Sequence, residues 1–128
     1  MEDKLRNMKK YSKLFDLSEK VIVITGGAGL LGCKHAEAVL GSGGHPVIID
    51  VNKKALENVV DRLKAKYDGS VSAFNVDITN EDQVKELSDK IRENFGKLDG
   101  LVNNAAINPK VETGKENFSR MENFDLDQ

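Results

Sequence analysis

At 128 residues, with 39% hydrophobic and 31% charged content, the chain has material for one domain with a real core, but not for two. A net charge of −2 supplies no electrostatic pull toward nucleic acid or an anionic membrane. One cysteine excludes an intrachain disulfide and fits a reducing cytoplasm, and the short apolar runs are too brief to cross a bilayer.

Residues 1–19 read as a polar lead-in, since basic residues without an apolar stretch do not make a secretory signal. Val21 to Thr25 is a continuous β-branched run, the pattern of a strand buried on both faces. Four glycines follow within seven positions, and then Leu30 to Ser42 reads as a helix with Leu31, His35, Ala38 and Val39 on its inner stripe. His45 to Asp50 is a second strand, with Pro46 tolerable near its start. Asn52 is placed to cap a helix from Lys53 to Tyr67, in which Leu56, Val59, Val60, Leu63 and Tyr67 recur at helical spacing. Ser70 to Val76 is a third strand. Thr79 to Asp82 resembles a capping box that opens a helix to Phe95, with Val84, Leu87, Ile91 and Phe95 facing inward. Gly96 stops that helix, and Leu98 to Val102 is a fourth strand.

The order βαβαβαβ with short connections predicts an α/β, Rossmann-like doubly wound parallel sheet in strand order 3-2-1-4, with right-handed crossovers. The expected division is a nucleotide-binding unit over 20–106, followed by a polar, aperiodic stretch over 107–128. That stretch has no ending of its own, so the fold reads as incomplete on its C-terminal side.

The glycine cluster has a physical rationale. A strand that turns directly into a helix leaves unpaired N–H groups at the helix N-terminus, and these, with the helix dipole, attract a pyrophosphate. Side chains would hold the phosphate off, so glycine is needed where backbone meets ligand, and a further glycine, Gly32, lets the helix pack closely on the strand. Asp50 ends the second strand, where a carboxylate accepts from adenosine ribose hydroxyls. Its charge would repel a 2′-phosphate, which favours NAD over NADP; Lys53 and Lys54 read as a solvated helix start. NVDIT (Asn75 to Thr79) and LVNNAA (Leu101 to Ala106) fall on the same carboxyl-end rim.

In this order and spacing, TGGAGLLG, Asp50, NVDIT and LVNNAA resemble the N-terminal half of a short-chain dehydrogenase/reductase, over essentially Leu14 to Gln128. The resemblance implies Gly26, Gly29 and Gly32 at the pyrophosphate, Asp50 at the adenosine ribose, Asp77 at the adenine amino group, and Asn103 to Ala105 along the adenosine side, steadying the central sheet. The full expected cofactor set is Thr25, Gly26, Gly27, Gly29, Leu30, Leu31, Gly32, Asp50, Val76, Asp77, Ile78, Asn103, Asn104 and Ala105. Two departures stand out. Leu30 occupies the middle glycine of the common TGxxxGxG loop, a spacing similar to the extended branch of epimerases and dehydratases, and Ala106 changes NNAG to NNAA. NNAAINPK and NFSRMENF are more similar to bacterial reductases of the shorter branch.

Catalysis in that family uses a serine with a tyrosine and lysine spaced YxxxK. Here Tyr11 is followed four residues on by Phe15, and Tyr67 by Val71, so no catalytic residue is named. The expectation is an NAD-binding part of an oxidoreductase moving hydride between NAD and an alcohol or carbonyl substrate, with the 128-residue chain itself inactive. An extended-branch epimerase or dehydratase and a stand-alone NAD-binding module are the alternatives. A small-molecule substrate is expected of the complete protein, as is any homo-oligomer. No metal, nucleic-acid or membrane partner is expected, and Cys33 and His35 read as packed helix residues.

Overall fold

The computed structural model describes residues 13–106. Four parallel strands, β1 (Val21–Thr25), β2 (His45–Asp50), β3 (Ser72–Asn75) and β4 (Gly100–Val102), lie in the order β3-β2-β1-β4. Three helices alternate with them: α1 (Leu30–Gly41), α2 (Lys53–Lys66) and α3 (Glu81–Phe95). The predicted topology and every predicted element are present. β3 and β4 are shorter than their apolar runs suggested, because only Ser72–Asn75 and Gly100–Val102 find ladder partners, on β2 and β1 respectively.

The sheet is wound on both faces, as the β-branched runs require. Register pairs Val23 with Val47 and Ile24 with Ile48, so successive side chains alternate between two cores. Ile24 and Ile48 pack under α1 and α2, together with Ala36, Leu40, Leu56, Val59 and Leu63. Val21, Val23, Val47 and Ile49 pack on the opposite face against Leu87 and Ile91 of α3. Full burial of side chains such as Ile24, Ile48 and Val47 contributes about 1.5–3 kcal/mol each.

Helix α1 sits differently from its sequence reading. Leu31, His35 and Ala38 are exposed, and the buried stripe is Gly32, Cys33, Ala36, Val39 and Leu40. The helix is rotated so that its small residues face the strands, which brings its axis close to the sheet; apolar bulk at Leu31 pointed to the wrong face. Helix α2 is capped as expected, Asn52 Oδ1 accepting from the Ala55 N–H at 3.0 Å. At α3 the cap is Asn80 rather than Thr79: its Oδ1 accepts from the N–H groups of Asp82 and Gln83. Of the four residues expected inside, Leu87 and Ile91 are buried, Phe95 is partly buried and Val84 is exposed. Gly96 ends α3 at φ +70°, a left-handed conformation that glycine adopts without steric cost.

The end of the lead-in belongs to the fold. Leu17 packs against the α1–α2 core, its N–H donates to the Ser42 carbonyl, and the His45 N–H donates to Lys20. Among the described residues, the covering is thinner around the β4 side. An open apolar groove of about 550 Å³ runs along α3, β1 and β4, with Ile78, Val84, Leu98 and Leu101 exposed in it. Among the described residues, no helix is long and apolar enough to cross a membrane.

Candidate functional site: a glycine loop at the carboxyl rim

The loop after β1 is held by backbone contacts that side chains would prevent. Gly26 has φ +63°, and a Cβ there would meet the backbone of Ala105 at 3.0 Å. A Cβ on Gly27 would lie 2.5 Å from Cβ of Ile48, and one on Gly32 would strike the Gly26 carbonyl. Three glycines are thus demanded by the protein's own packing, and the close approach that Gly32 permits is of the helix to the loop residues Gly26 and Gly27, where the sequence reading sets it against the strand. Gly29 is different. Its φ of −77° suits any residue, and its only close neighbour would be the Gly26 carbonyl at 3.2 Å.

Gly29 is also the N-cap of α1, and it supplies no side-chain hydrogen bond. Helices α2 and α3 each receive an asparagine cap, whereas α1 has neither a capping side chain nor an acid in its first turn. Its first-turn N–H groups, at Leu30 and Leu31, therefore face the rim without an intrahelical acceptor. Leu30 is 84% exposed, so the residue in the place of the family's middle glycine projects away from the fold and does not crowd the loop. An open helix N-terminus beside a glycine without bulk fits an anionic pyrophosphate, through both donors and dipole.

Asp50, at the end of β2, reaches this loop. Its Oδ2 accepts from the Ala28 N–H at 3.1 Å and its Oδ1 from the Asn52 N–H at 3.0 Å. Asn75 steadies the strand end by donating its Nδ2 to the carbonyls of Asp50 and Val51, both at 2.9 Å. Asp77 lies on the same rim after β3. Its Oδ1 accepts from the Thr79 N–H (2.9 Å) and hydroxyl (2.7 Å), and those two bonds hold its carboxyl below the usual carboxylate range. The Gln83 side chain accepts from the Asp77 N–H at 2.8 Å, so α3 fixes this turn from beneath. Val76 is buried under the turn and Ile78 is exposed at the groove.

The NNAA segment closes the rim. Asn104 donates its Nδ2 to the carbonyls of Thr25 (3.1 Å) and Gly26 (3.2 Å). The buried Thr25 hydroxyl accepts from the N–H groups of Asn104 (3.1 Å) and Ala105 (3.0 Å). Thr25 and Asn104 thereby join β1 to β4, a bracing arrangement, while Asn103 is exposed on the groove side. The structure so brings the loop, Asp50, the Asp77 turn and the NNAA segment to one edge of the sheet. Sequence reasoning placed Asn75 on the rim as the start of NVDIT, but missed the contacts of Ala28 and Gln83. Ala28 acts through its backbone and leaves no side-chain signal; Gln83 carried one, as the third residue of a helix capped by Asn80.

Elsewhere, Cys33 is buried and donates its thiol toward the Leu30 carbonyl, and His35 is exposed rather than packed. Among the described residues, no cluster of histidine, cysteine and carboxylates is placed to hold a metal ion.

This geometry coincides with close likeness to known proteins. Residues 20–128 match the family model described as short chain dehydrogenase. A short chain dehydrogenase/reductase of Colletotrichum higginsianum is 44% identical over 91 residues, 71% of this chain and 34% of its own length. The 2,5-dichloro-2,5-cyclohexadiene-1,4-diol dehydrogenase of Sphingobium indicum is 38% identical over 107 residues, 80% of this chain and 41% of its own. Among solved structures, L-sorbose reductase from Gluconobacter frateurii, complexed with NADPH and L-sorbose, matches with a TM-score of 0.70 at 32% identity, over 74% of this chain and 36% of that one. An NAD+-bound xylitol dehydrogenase matches with a TM-score of 0.65 at 29% identity, over 71% and 35%. The chain spans between about a third and two fifths of the length of these curated relatives. With this match over most of its length and this rim geometry, the chain belongs to the short-chain dehydrogenase family.

Proposed function

We propose that this chain is the dinucleotide-binding part of an NAD-dependent oxidoreductase, one that in its whole form moves hydride between NAD(H) and an alcohol or carbonyl substrate. The observation that carries the reading is the Asp50 carboxylate on the rim, 3.1 Å from a glycine-loop N–H and beside an uncapped helix N-terminus. The pyrophosphate would take the first-turn N–H groups of α1, and the adenosine ribose would take Asp50. Asp77, through the oxygen not engaged by Thr79, would receive the adenine amino group. When bound, nicotinamide supplies the hydride donor or acceptor; the residues of this chain hold and orient the other half of the cofactor.

Named relatives support a nicotinamide cofactor in general, one being complexed with NADPH and another bound to NAD+. The preference for NAD rests on Asp50 itself. A fixed negative charge where the ribose 2′ position must sit repels a phosphate there, and exposed Lys53 and Lys54 are free to swing away into water. That the named relatives are dehydrogenases and reductases favours net hydride transfer over an epimerase or dehydratase. No YxxxK occurs among the 128 residues, so the chain alone should bind cofactor without turning over.

Titration calorimetry with NAD and NADP tests this directly. NAD should bind at least about tenfold more tightly, a difference of about 1.4 kcal/mol. Equal or tighter binding of NADP would sink the NAD assignment, and NAD-linked turnover of an alcohol by the purified chain would sink the claim of inactivity.

A further inference from the structure

Asp50 has a second connection that its role toward a ribose does not require. Two consecutive N–H groups of the glycine loop are tied to β2: Gly27 donates to the Ile49 carbonyl at 2.9 Å, and Ala28 donates to Asp50 Oδ2 at 3.1 Å. The first tie is backbone to backbone and survives any change of side chain. The second depends on the Asp50 carboxylate, which on its other oxygen also accepts from Asn52 N–H at the entry to α2. An ionised carboxylate offers about four acceptor positions, so two remain for a pair of ribose hydroxyls.

We propose that Asp50 is a positioning residue as well as a cofactor ligand: its carboxylate clamps the glycine loop to the start of α2 before any dinucleotide arrives. The inference rests on the NAD-binding reading for its consequence, but the clamp belongs to the free protein. Charge-assisted bonds to backbone N–H groups are among the stronger ones, and without this one Ala28 loses its partner on the rim. The consequence concerns specificity. Neutralising Asp50 removes the repulsion of a 2′-phosphate, yet it also loosens the loop that must receive the pyrophosphate. A single substitution should therefore weaken both NAD and NADP rather than exchange one preference for the other.

The test uses the full 128-residue chain, without cofactor, by residue-resolved amide hydrogen exchange, and then NAD and NADP titrations on the same samples. In Asp50→Ala, the Ala28 and Asn52 amides should exchange about tenfold faster or more. The Gly27 amide, bonded to the Ile49 carbonyl, should keep its rate. A uniform rise that includes Gly27 would mean wholesale destabilisation and overturn the clamp. So would an unchanged Ala28 amide. Asp50→Asn, nearly isosteric, serves should the alanine variant not fold. Its NH2 group takes the place of one carboxylate oxygen and cannot accept there, so one of the two amides should lose protection, and retention of both overturns the proposal. Tight NADP binding by either variant, with the Ala28 amide deprotected, would show that the loop needs no clamp. Failure of the wild-type chain to bind NAD refutes the functional reading alone, since the exchange rates judge the clamp independently.

Discussion

Two glycines only three residues apart in the loop have different reasons to be there. At Gly32 a methyl group would enter the Gly26 carbonyl and the Gly27 Cα, so Gly32→Ala must push α1 off the loop. Alanine's better helix propensity offsets only about 1 kcal/mol of that, and overpacking costs about 1–3 kcal/mol with little flexible side chain to give way. Gly29→Ala meets only one carbonyl at 3.2 Å with an ordinary φ, so the folded state should tolerate it. The expected outcome is a split: Gly32→Ala lowers the unfolding midpoint, while Gly29→Ala leaves it nearly unchanged and weakens dinucleotide binding. Urea denaturation beside calorimetry checks both. Loss of stability without loss of affinity in Gly29→Ala would remove the ligand-based reason for that glycine.

Joints between elements carry the pH response. His45 opens β2, its Nε2 is 2.9 Å from the Ser72 hydroxyl at the start of β3, and its ring lies 4.8 Å from that of Phe95 at the end of α3. Burial at this three-element joint disfavours the charged form and lowers the His45 pKa from its ordinary 6.5. The unfolded chain therefore binds the proton more readily than the folded one. His45's contribution to stability is complete above about pH 6.5 and is lost as pH falls from there through the lower folded pKa. Asp77 and Asp99 are shifted downward, Asp99 chiefly by accepting from the Val21 N–H, so their contributions fade only at more acid pH. Urea midpoints measured at pH 7 and 5.5 should fall in the wild type, and fall less in His45→Gln. Equal falls in the two proteins would assign the response elsewhere.

At the scale of the whole molecule, the two faces of the sheet are unequally covered. Among the described residues, helices α1 and α2 both lie on one face, whereas the other carries α3 and the apolar groove beside β4. Leu101 is 54% exposed on β4, which pairs with β1 alone among the described strands, and Leu98, in the segment leading into β4, is 50% exposed. A strand edge without a partner among the described strands, next to apolar surface, invites pairing with other chains. Leu98→Lys combined with Leu101→Glu should reduce self-association at high concentration, read by sedimentation velocity, without lowering the unfolding midpoint. A lower midpoint would show that these side chains are part of the packed core.

By itself the sequence determined the alternation of elements, the strand order and the rim on which the glycine loop, Asp50, the Asp77 turn and NNAA gather. Those follow from short-range rules: β-branched runs form buried strands, glycine and asparagine punctuate them, and right-handed crossovers leave few topologies. Tertiary structure decided what local pattern underdetermines. The rotation of α1 was set by the small side chains of Gly32, Cys33 and Ala36 against the strands, a matter of clearance that a count of apolar residues misreads. The cap of α3 fell to Asn80, directly before Glu81, while the Thr79 hydroxyl donates to Asp77 in the preceding turn. The ties from Ala28 to Asp50, and from Asn104 to Thr25, join residues 22 and 79 positions apart, and in each one of the two partners is a backbone group that every residue carries. Such groups leave no mark in a sequence, so only the folded chain shows which of them meet.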